Sequence, residues 1–309
     1  MKKIILVSTF SFFCLLVFAA NKKKGTIATN SENNKIKLDE PLKTNNSLLW
    51  QISGNGLKKA SYLFGTIHEI NSADFYLGKN ALKKIKNSDE IILEVDLNKV
   101  DVLKLAQASM LPDNKTIKDY LSDTDYLSLK KFMKDTLKIN SYNFDGSYAK
   151  MKPFFLEQLI FSNTTDDKLY YELEIKKIAD DKNISQSGLE TMTEQLEFLD
   201  EIPIKDQLES ILKTIKNYTV ENNKFNQLID NYKKQDLAAL NKAFEEEEDT
   251  VLKHKLVDKR NTNWIPKIIA NIQSKSCFIA VGAGHLAGEN GLINLLKKQG
   301  YSVEPISIN

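Results

Sequence analysis

The sequence predicts an α/β protein with a mainly parallel central sheet, built from both ends of the mature chain, and a large helical insert between them. Three short apolar runs carry this expectation: Ser61-Tyr-Leu-Phe-Gly65-Thr-Ile-His68, Ile91-Ile-Leu-Glu94 and Cys277-Phe-Ile-Ala-Val-Gly282-Ala-Gly-His285. Runs of this length, apolar throughout, are typical of strands buried on both faces of a parallel sheet. Two lie early in the mature chain and one near its end, while the residues between them follow the helical period. Each run finishes on a chemically capable side chain, and the carboxyl ends of parallel strands are where α/β proteins place their ligands.

The chain opens Met1-Lys2-Lys3, runs apolar from Ile4 to Phe18, and leaves through Ala19-Ala20 into Asn21-Lys-Lys-Lys24. A basic start, about 15 apolar residues and a small-residue exit make residues 1–20 a secretory signal peptide. A spanning anchor would need roughly 20 apolar residues, so no stable membrane span is expected after cleavage. The residues before Cys14, Ser11-Phe12-Phe13, match a lipoprotein signal poorly, which favours a periplasmic or secreted product without lipid. Once the signal is removed Cys277 is the sole cysteine, and no intramolecular disulfide is available. Residues 21–46 are rich in Asn and Lys without apolar periodicity and are expected to form a disordered tether. One α/β domain is expected over 47–309.

Within it, residues 48–52 and 60–67 read as strands joined by the turn Ser53-Gly54-Asn55-Gly56, a hairpin. A helix at 78–86, with Ala81, Leu82 and Ile85 on one face, leads to a strand at 91–95. These elements form a β-α-β unit whose strands end at His68 and Glu94. Helical periodicity then covers 100–108, 116–121, 125–137, 153–161 and 169–180. A short strand at 184–189 ends at Glu190. Further helices follow at 191–199, 204–220, 225–233 and 236–244, and one at 251–272 carries Pro266, a residue that bends or breaks helices. The helical insert spans about 100–256. The acidic run Glu245-Glu-Glu-Glu-Asp249 reads as a solvated turn. Strand 277–281, helix 292–298 stopped by Gly300, and strand 301–306 close the chain as a second strand–helix–strand unit.

Lysine plus arginine number 43 against 41 acids, and the signs are interleaved. No basic face suited to nucleic acid emerges. Two of the three histidines, His68 and His285, stand in Gly-x-x-His elements at predicted strand ends. Glycine there lets the backbone turn sharply. The third, His254, sits in the lysine-flanked Leu252-Lys253-His254-Lys255, where neighbouring cations disfavour its charged form, and is excluded from the site. Glu94 would leave a carboxylate at the end of a central strand, with Asp96 competing for the same role. A buried unpaired charge is very costly, so a metal ion or an arginine must compensate it. Arg260 could present a guanidinium fork. Two imidazoles and a carboxylate at one sheet edge suffice to hold a divalent metal or to perform acid–base chemistry.

Five segments occur in a fixed order: Gly65-Thr66-Ile67-His68, Leu93-Glu94-Val95-Asp96, Gly188-Leu189-Glu190-Thr191, Arg260-Asn261-Thr-Asn-Trp264 and Val281-Gly282-Ala283-Gly284-His285. The series, over essentially 48–308, resembles the TraB/PrgY/GumN family, whose relatives include the TIKI metalloproteases and, more remotely, the erythromycin esterases and ChaN haem-binding lipoproteins. The resemblance implies an α/β fold with paired halves and a site holding both Gly-x-x-His histidines and an acidic residue. By motif matching it carries over His68, Glu94 and His285, with Glu190 and Arg260 at neighbouring family positions. Glu69, after His68, departs from the apolar residue expected there.

The function so implied is an exported, metal-dependent hydrolase of peptides or proteins. His68, Glu94 and His285 would ligate Mn²⁺, Co²⁺ or Zn²⁺. Glu190 would serve as general base, and Arg260 would hold a substrate carboxylate or oxyanion. Two alternatives stand beside it: a metal-free esterase-like hydrolase with His68 as base and Glu94 orienting it, and a non-catalytic protein that binds peptide or haem.

Overall fold

The computed structural model describes residues 47–161, 167–246 and 257–309. The expected signal peptide (1–20) and tether (21–46) lie outside the described residues. Six strands form the central sheet: β1 (Leu49–Ser53), β2 (Ser61–Thr66), β4 (Glu90–Val95), β6 (Ser185–Glu190), β7 (Cys277–Gly282) and β8 (Ser302–Ile306). Their spatial order is β6-β4-β7-β2-β1-β8. β7 lies between β2 and β4 and pairs parallel with both, and β4 pairs parallel with β6. β1 runs antiparallel to β2, closing the expected hairpin, and antiparallel to β8. The fold class read from the sequence, a mostly parallel α/β sheet, is the one observed.

Two adjacent inner strands explain their own sequences. β4 (EIILEV) and β7 (CFIAVG) are buried at every position. Along β7 the side chains alternate between the two faces of the sheet, as the pleat requires. Phe278 and Ala280 join the cluster containing Ala81 and Ile85 of α1 (Lys79–Asn87) and Ile175 and Ala179 of α6 (Tyr171–Lys182). Cys277, Ile279 and Val281 join Trp264, Ile268 and Ile272 of α11 (Lys259–Ile272) and Leu292 and Leu296 of α12 (Leu292–Lys298).

A third cluster forms a helical lobe from α2 (Val102–Ala108), α3 (Asp123–Asp135), α4 (Ser141–Gly146), α5 (Pro153–Phe161), α7 (Met192–Asp200) and α8 (Ile204–Lys216). α9 (Tyr218–Lys233) and α10 (Leu237–Glu245) follow. Because β6 returns to the sheet, this helical material leaves it twice, once after β4 and once after β6.

Four elements differ from the sequence reading. The final strand–helix–strand does not make a parallel unit: both neighbours of β7 are already β2 and β4, so β8 crosses to the open side of β1. Lys168–Tyr170 is strand β5, not the start of a helix, and pairs antiparallel with β3 (Glu69–Asn71) directly after His68. Strands of three residues carry too little alternation to be read. The helix break expected near 221–224 falls at Asn217, between α8 and α9. The segment 116–121 is a single 3₁₀ turn, Ile117–Tyr120, closed by a Thr116–Asp119 capping box. Residues 251–256 of the expected long helix, with His254, lie outside the described residues, as do Glu247, Glu248 and Asp249 of the acidic run.

One buried acid of the lobe sets a pH dependence of stability. Glu157 of α5 lies inside the helical cluster, and its carboxylate accepts a hydrogen bond from Ser210 Oγ at 3.0 Å and another from Thr214. Burial pushes its pKa up to about 8, outweighing the two hydroxyl donors. A carboxyl raised in this way contributes stability that is complete below its unfolded value of 4.5 and is lost as pH climbs to about 8. The slope is at most about 1.4 kcal/mol per pH unit. Glu157→Gln keeps an amide oxygen as acceptor without a charge to bury. Urea unfolding at pH 5 and pH 8 is expected to show the variant gaining on the parent as pH rises; parallel pH profiles would contradict this.

Candidate active site

Four adjacent strands deliver the site. β6 ends on Glu190, β4 carries Glu94 one residue from its end, β7 runs into a 3₁₀ turn (Ala283–His285), and β2 leads through Ile67 to His68. The order β6-β4-β7-β2 therefore sets Glu190, Glu94, His285 and His68 side by side at one edge. α11 adds Arg260 from one face of the sheet. All five residues are buried, with exposures of 2% for His68, 6% for Glu94, 7% for Glu190 and 0% for Arg260 and His285.

Arg260 is the only arginine in the sequence. Its Nε donates to Glu190 Oε1 at 3.0 Å and Oε2 at 3.2 Å, and its Nη2 donates to Glu190 Oε1 at 2.7 Å and Glu94 Oε2 at 2.6 Å. Its Nη1 lies 3.2 Å from His285 Nε2. One helical turn on, Trp264 Nε1 donates to Glu190 Oε2 at 3.0 Å, and the indole lies 4.6 Å from the guanidinium carbon. Both oxygens of Glu190, the residue expected as general base, thus accept hydrogen bonds from Arg260 and Trp264. Burial pushes the Glu190 pKa up, against the pull of Arg260.

Glu94 is held as a carboxylate. Burial alone would raise its pKa, but Arg260, the two histidines and the Gly282 N–H, which donates to Oε1 at 2.8 Å, bring it down to about 2. Gln195 of α7 donates to Oε2 at 3.3 Å. Asp96, the sequence competitor, is a turn cap accepting from Asn98 N.

The tautomer of His285 follows from Asn261. Asn261 Nδ2 donates to the carbonyls of His285 and Asn290, so its Oδ1, 2.7 Å from His285 Nδ1, must accept. The proton is therefore on Nδ1, and Nε2 accepts from Arg260. Burial, reinforced by Arg260, lowers the His285 pKa to about 3, so the ring is neutral.

His68 is set differently. Its backbone is left-handed, with φ +59, a conformation that costs a side-chain-bearing residue energy. Nδ1 lies 2.6 Å from Glu172 Oε1, which also accepts from Thr66 Oγ1 at 2.6 Å. Burial would lower the His68 pKa, but Glu172 and Glu94 outweigh it and raise it to about 9. Nε2 lies 3.7 Å from Glu94 Oε1 and has no hydrogen-bond partner among the described residues. Gly282 borders this gap: a Cβ there would come within 2.9 Å of His68 Nε2 and 3.4 Å of Glu94 Oε1.

The site contains one acid that no sequence signal announced. Glu172 lies on an amphipathic helix more than a hundred positions from His68 in sequence, and only the fold joins them. Trp264, Asn261 and Thr66 stood inside the quoted segments without a role. Glu69 takes no part in the cluster and pairs with Lys168 across β3 and β5.

Two imidazoles and one carboxylate are a suitable donor set for a divalent metal. His68 Nε2 and His285 Nε2 flank one oxygen, Glu94 Oε1, at 3.7 and 3.8 Å. As arranged, however, the His285 lone pair is engaged by Arg260, and among the described residues no cluster of three or more His, Cys, Asp or Glu is already set to hold an ion. The residues fit an ion in chemistry once His285 is released from Arg260 and His68, its pKa raised to about 9, gives up its Nε2 proton.

A family model described as TraB/PrgY/gumN matches residues 48–305. The chain is similar to the metalloprotease TIKI2 of Xenopus tropicalis (24% identical over 319 residues, 84% of this chain and 60% of that protein). It is similar also to TIKI2 of Danio rerio (22% over 335 residues, 90% and 64%) and TIKI1 of Homo sapiens (22% over 352 residues, 94% and 67%). It spans less than two thirds of the length of the two TIKI2 proteins. No solved structure matches.

Removing the guanidinium leaves two buried carboxylates without a counter-charge. Arg260→Leu is expected to lower unfolding stability by about 3–5 kcal/mol. Arg260→Lys is expected to fall short of the parent too, since an ammonium cannot serve Glu190 through two atoms while reaching Glu94. Urea unfolding checks both; parent-like stability in Arg260→Lys would show that the fork is dispensable.

Proposed function

The chain belongs to the TraB/PrgY/gumN family, and from that premise we propose that it is an exported, metal-dependent hydrolase of peptides, carried by a single α/β domain over 47–309. The observation that carries the reading is the buried His68 Nε2, with no hydrogen-bond partner among the described residues, facing Glu94 Oε1 at 3.7 Å across a gap kept open by Gly282. The resemblance to proteins named metalloproteases supports it. Export rests on residues 1–20; among the described residues no helix is long and apolar enough to cross a membrane.

His68, Glu94 and His285 would hold the ion, with Mn²⁺, Co²⁺ and Zn²⁺ the candidates. Such an ion, when bound, polarises a scissile carbonyl and lowers the pKa of water. The chain's own groups prepare the rest. Asn261 fixes the proton of His285 on Nδ1, which leaves Nε2 able to ligate. Arg260 keeps Glu94 ionised, and its Nη1, once released from His285, is placed to bind a substrate carboxylate or a developing oxyanion. Glu190, with both oxygens engaged, positions Arg260 rather than removing a proton. Gln195 of α7 reaches Glu94, and Phe244 of α10 lies against Gly284, so these two helices border the edge a peptide would approach.

A second reading is favoured by the His68–Glu172 contact, an imidazole–carboxylate pair suited to metal-free hydrolysis with His68 as base. With its pKa near 9, such a base would work only as pH rises towards 9.

Metal analysis combined with hydrolysis of a peptide library, with and without chelator, separates the two. Chelator is expected to abolish hydrolysis and added Mn²⁺, Co²⁺ or Zn²⁺ to restore it. His68→Ala and His285→Ala are expected to lose metal and activity with circular dichroism retained, Gly282→Ala to bind metal more weakly, and His254→Ala to match the parent. Full activity in metal-free protein would exclude the metal reading, and an activity that then climbs towards pH 9 would establish the second.

A further inference from the structure

We propose that Glu172 is the positioning residue of His68, and that the three residues Tyr170, Tyr171 and Glu172 brace this histidine as one unit. This inference rests on the reading of His68 as a ligand only for its metal-binding arm. Three contacts converge. Tyr170 pairs with Glu69, the residue after His68, across β3 and β5. Tyr171 N donates to the His68 carbonyl at 2.9 Å. Glu172 Oε1 accepts from His68 Nδ1 at 2.6 Å.

His68 needs such a brace. Its φ of +59 is disfavoured for a residue with a side chain, so the surrounding structure must impose it. Its Nε2 has no hydrogen-bond partner among the described residues and meets Glu94 Oε1 only at 3.7 Å, too far for a directional contact to fix the ring. Orientation must come from the Nδ1 side, where Glu172 is the contact. Thr66 Oγ1, two residues before His68 on β2, donates to the same Oε1 and holds the carboxylate in place. The chain thus reaches from α6 to β2 to aim Nε2 at Glu94 Oε1. A carboxylate behind a ligating imidazole sets its orientation and tautomer and raises its basicity.

Two readouts on the full chain test this. The first needs no metal: proton–nitrogen correlation spectra of protein labelled at the histidine ring nitrogens. A downfield, slowly exchanging Nδ1–H signal, assigned by its loss in His68→Ala, is expected in the parent, shifted upfield in Glu172→Gln and absent in Glu172→Ala. The second is titration with Co²⁺ followed by visible absorption. Affinity is expected to fall roughly 10-fold in Glu172→Gln and roughly 100-fold in Glu172→Ala, the range typical of lost outer contacts to a metal ligand. Tyr171→Phe, which removes a buried hydroxyl of the same segment but leaves its backbone N–H on His68, is the control for general destabilisation and should leave both readouts unchanged. Thr66→Val, which keeps Glu172 itself, should shift the ring signal in the same direction by less.

An unmoved ring signal in both Glu172 variants overturns the proposal, as does parent-like Co²⁺ affinity in them. If the parent itself binds no Co²⁺ while the ring signal responds to Glu172, the positioning role stands and the metal reading fails.

Discussion

A guanidinium with no solvent contact must have its charge matched and its donors accepted by the protein, because burying an unpaired ion costs several kcal/mol. Arg260 meets that requirement with Glu190, Glu94 and His285, residues borne by β6, β4 and the turn after β7. The helical lobe leaves the sheet just after Glu94 and again just after Glu190, and α11 begins one residue before Arg260. One side chain therefore ties together the places where lobe and sheet join. Among the 43 basic residues it is the one arginine. A lysine could neutralise one carboxylate there but could not engage one through two atoms while reaching the other.

The same contact shapes the chemistry of its neighbours. It keeps Glu94 ionised at a depth where burial would otherwise protonate it, and it reinforces the burial that holds His285 neutral, while Asn261 fixes the tautomer. Close approach of backbone makes this density possible. Gly282 stands where a Cβ would strike His68 Nε2, and Gly65 where a Cβ would lie 2.7 Å from a Leu286 methyl. Each Gly-x-x-His element thus needs its glycine for close packing at the strand end rather than for the turn expected there, since neither glycine has a positive φ. His68 and His285 are nevertheless unlike: one is paired with a carboxylate and left-handed, the other is neutral and held by an amide.

The parallel sheet and the shared edge were legible because buried strands write continuous apolar runs, and because a polar residue ending such a run stands out. His68, Glu94, His285 and Glu190 stand out in this way, Arg260 stands out as an arginine in a lysine-rich chain, and the five lie together. The partners of β8 were not legible, since pairing depends on which edge remains open after β7 is placed between β2 and β4. β3 and β5 are too short to show a period. Glu172 was invisible for a related reason: in sequence it is one acid among several on an amphipathic helix, and its meaning lies in the turn of β5 that brings it to His68. Spacing likewise shows that an acid stands at Glu190 but not that both its oxygens accept hydrogen bonds from Arg260 and Trp264.

The central claim is that His68, Glu94 and His285 form one ion-holding edge from which Arg260 can be displaced without leaving Glu190. Anomalous diffraction from crystals of the full chain grown with Mn²⁺ or Co²⁺ tests it most directly. A single peak bounded by His68 Nε2, Glu94 Oε1 and His285 Nε2, with Arg260 still on Glu190 and withdrawn from His285, is the expected result. Crystals showing no peak at this edge, with Arg260 still bonded to His285, would contradict the claim.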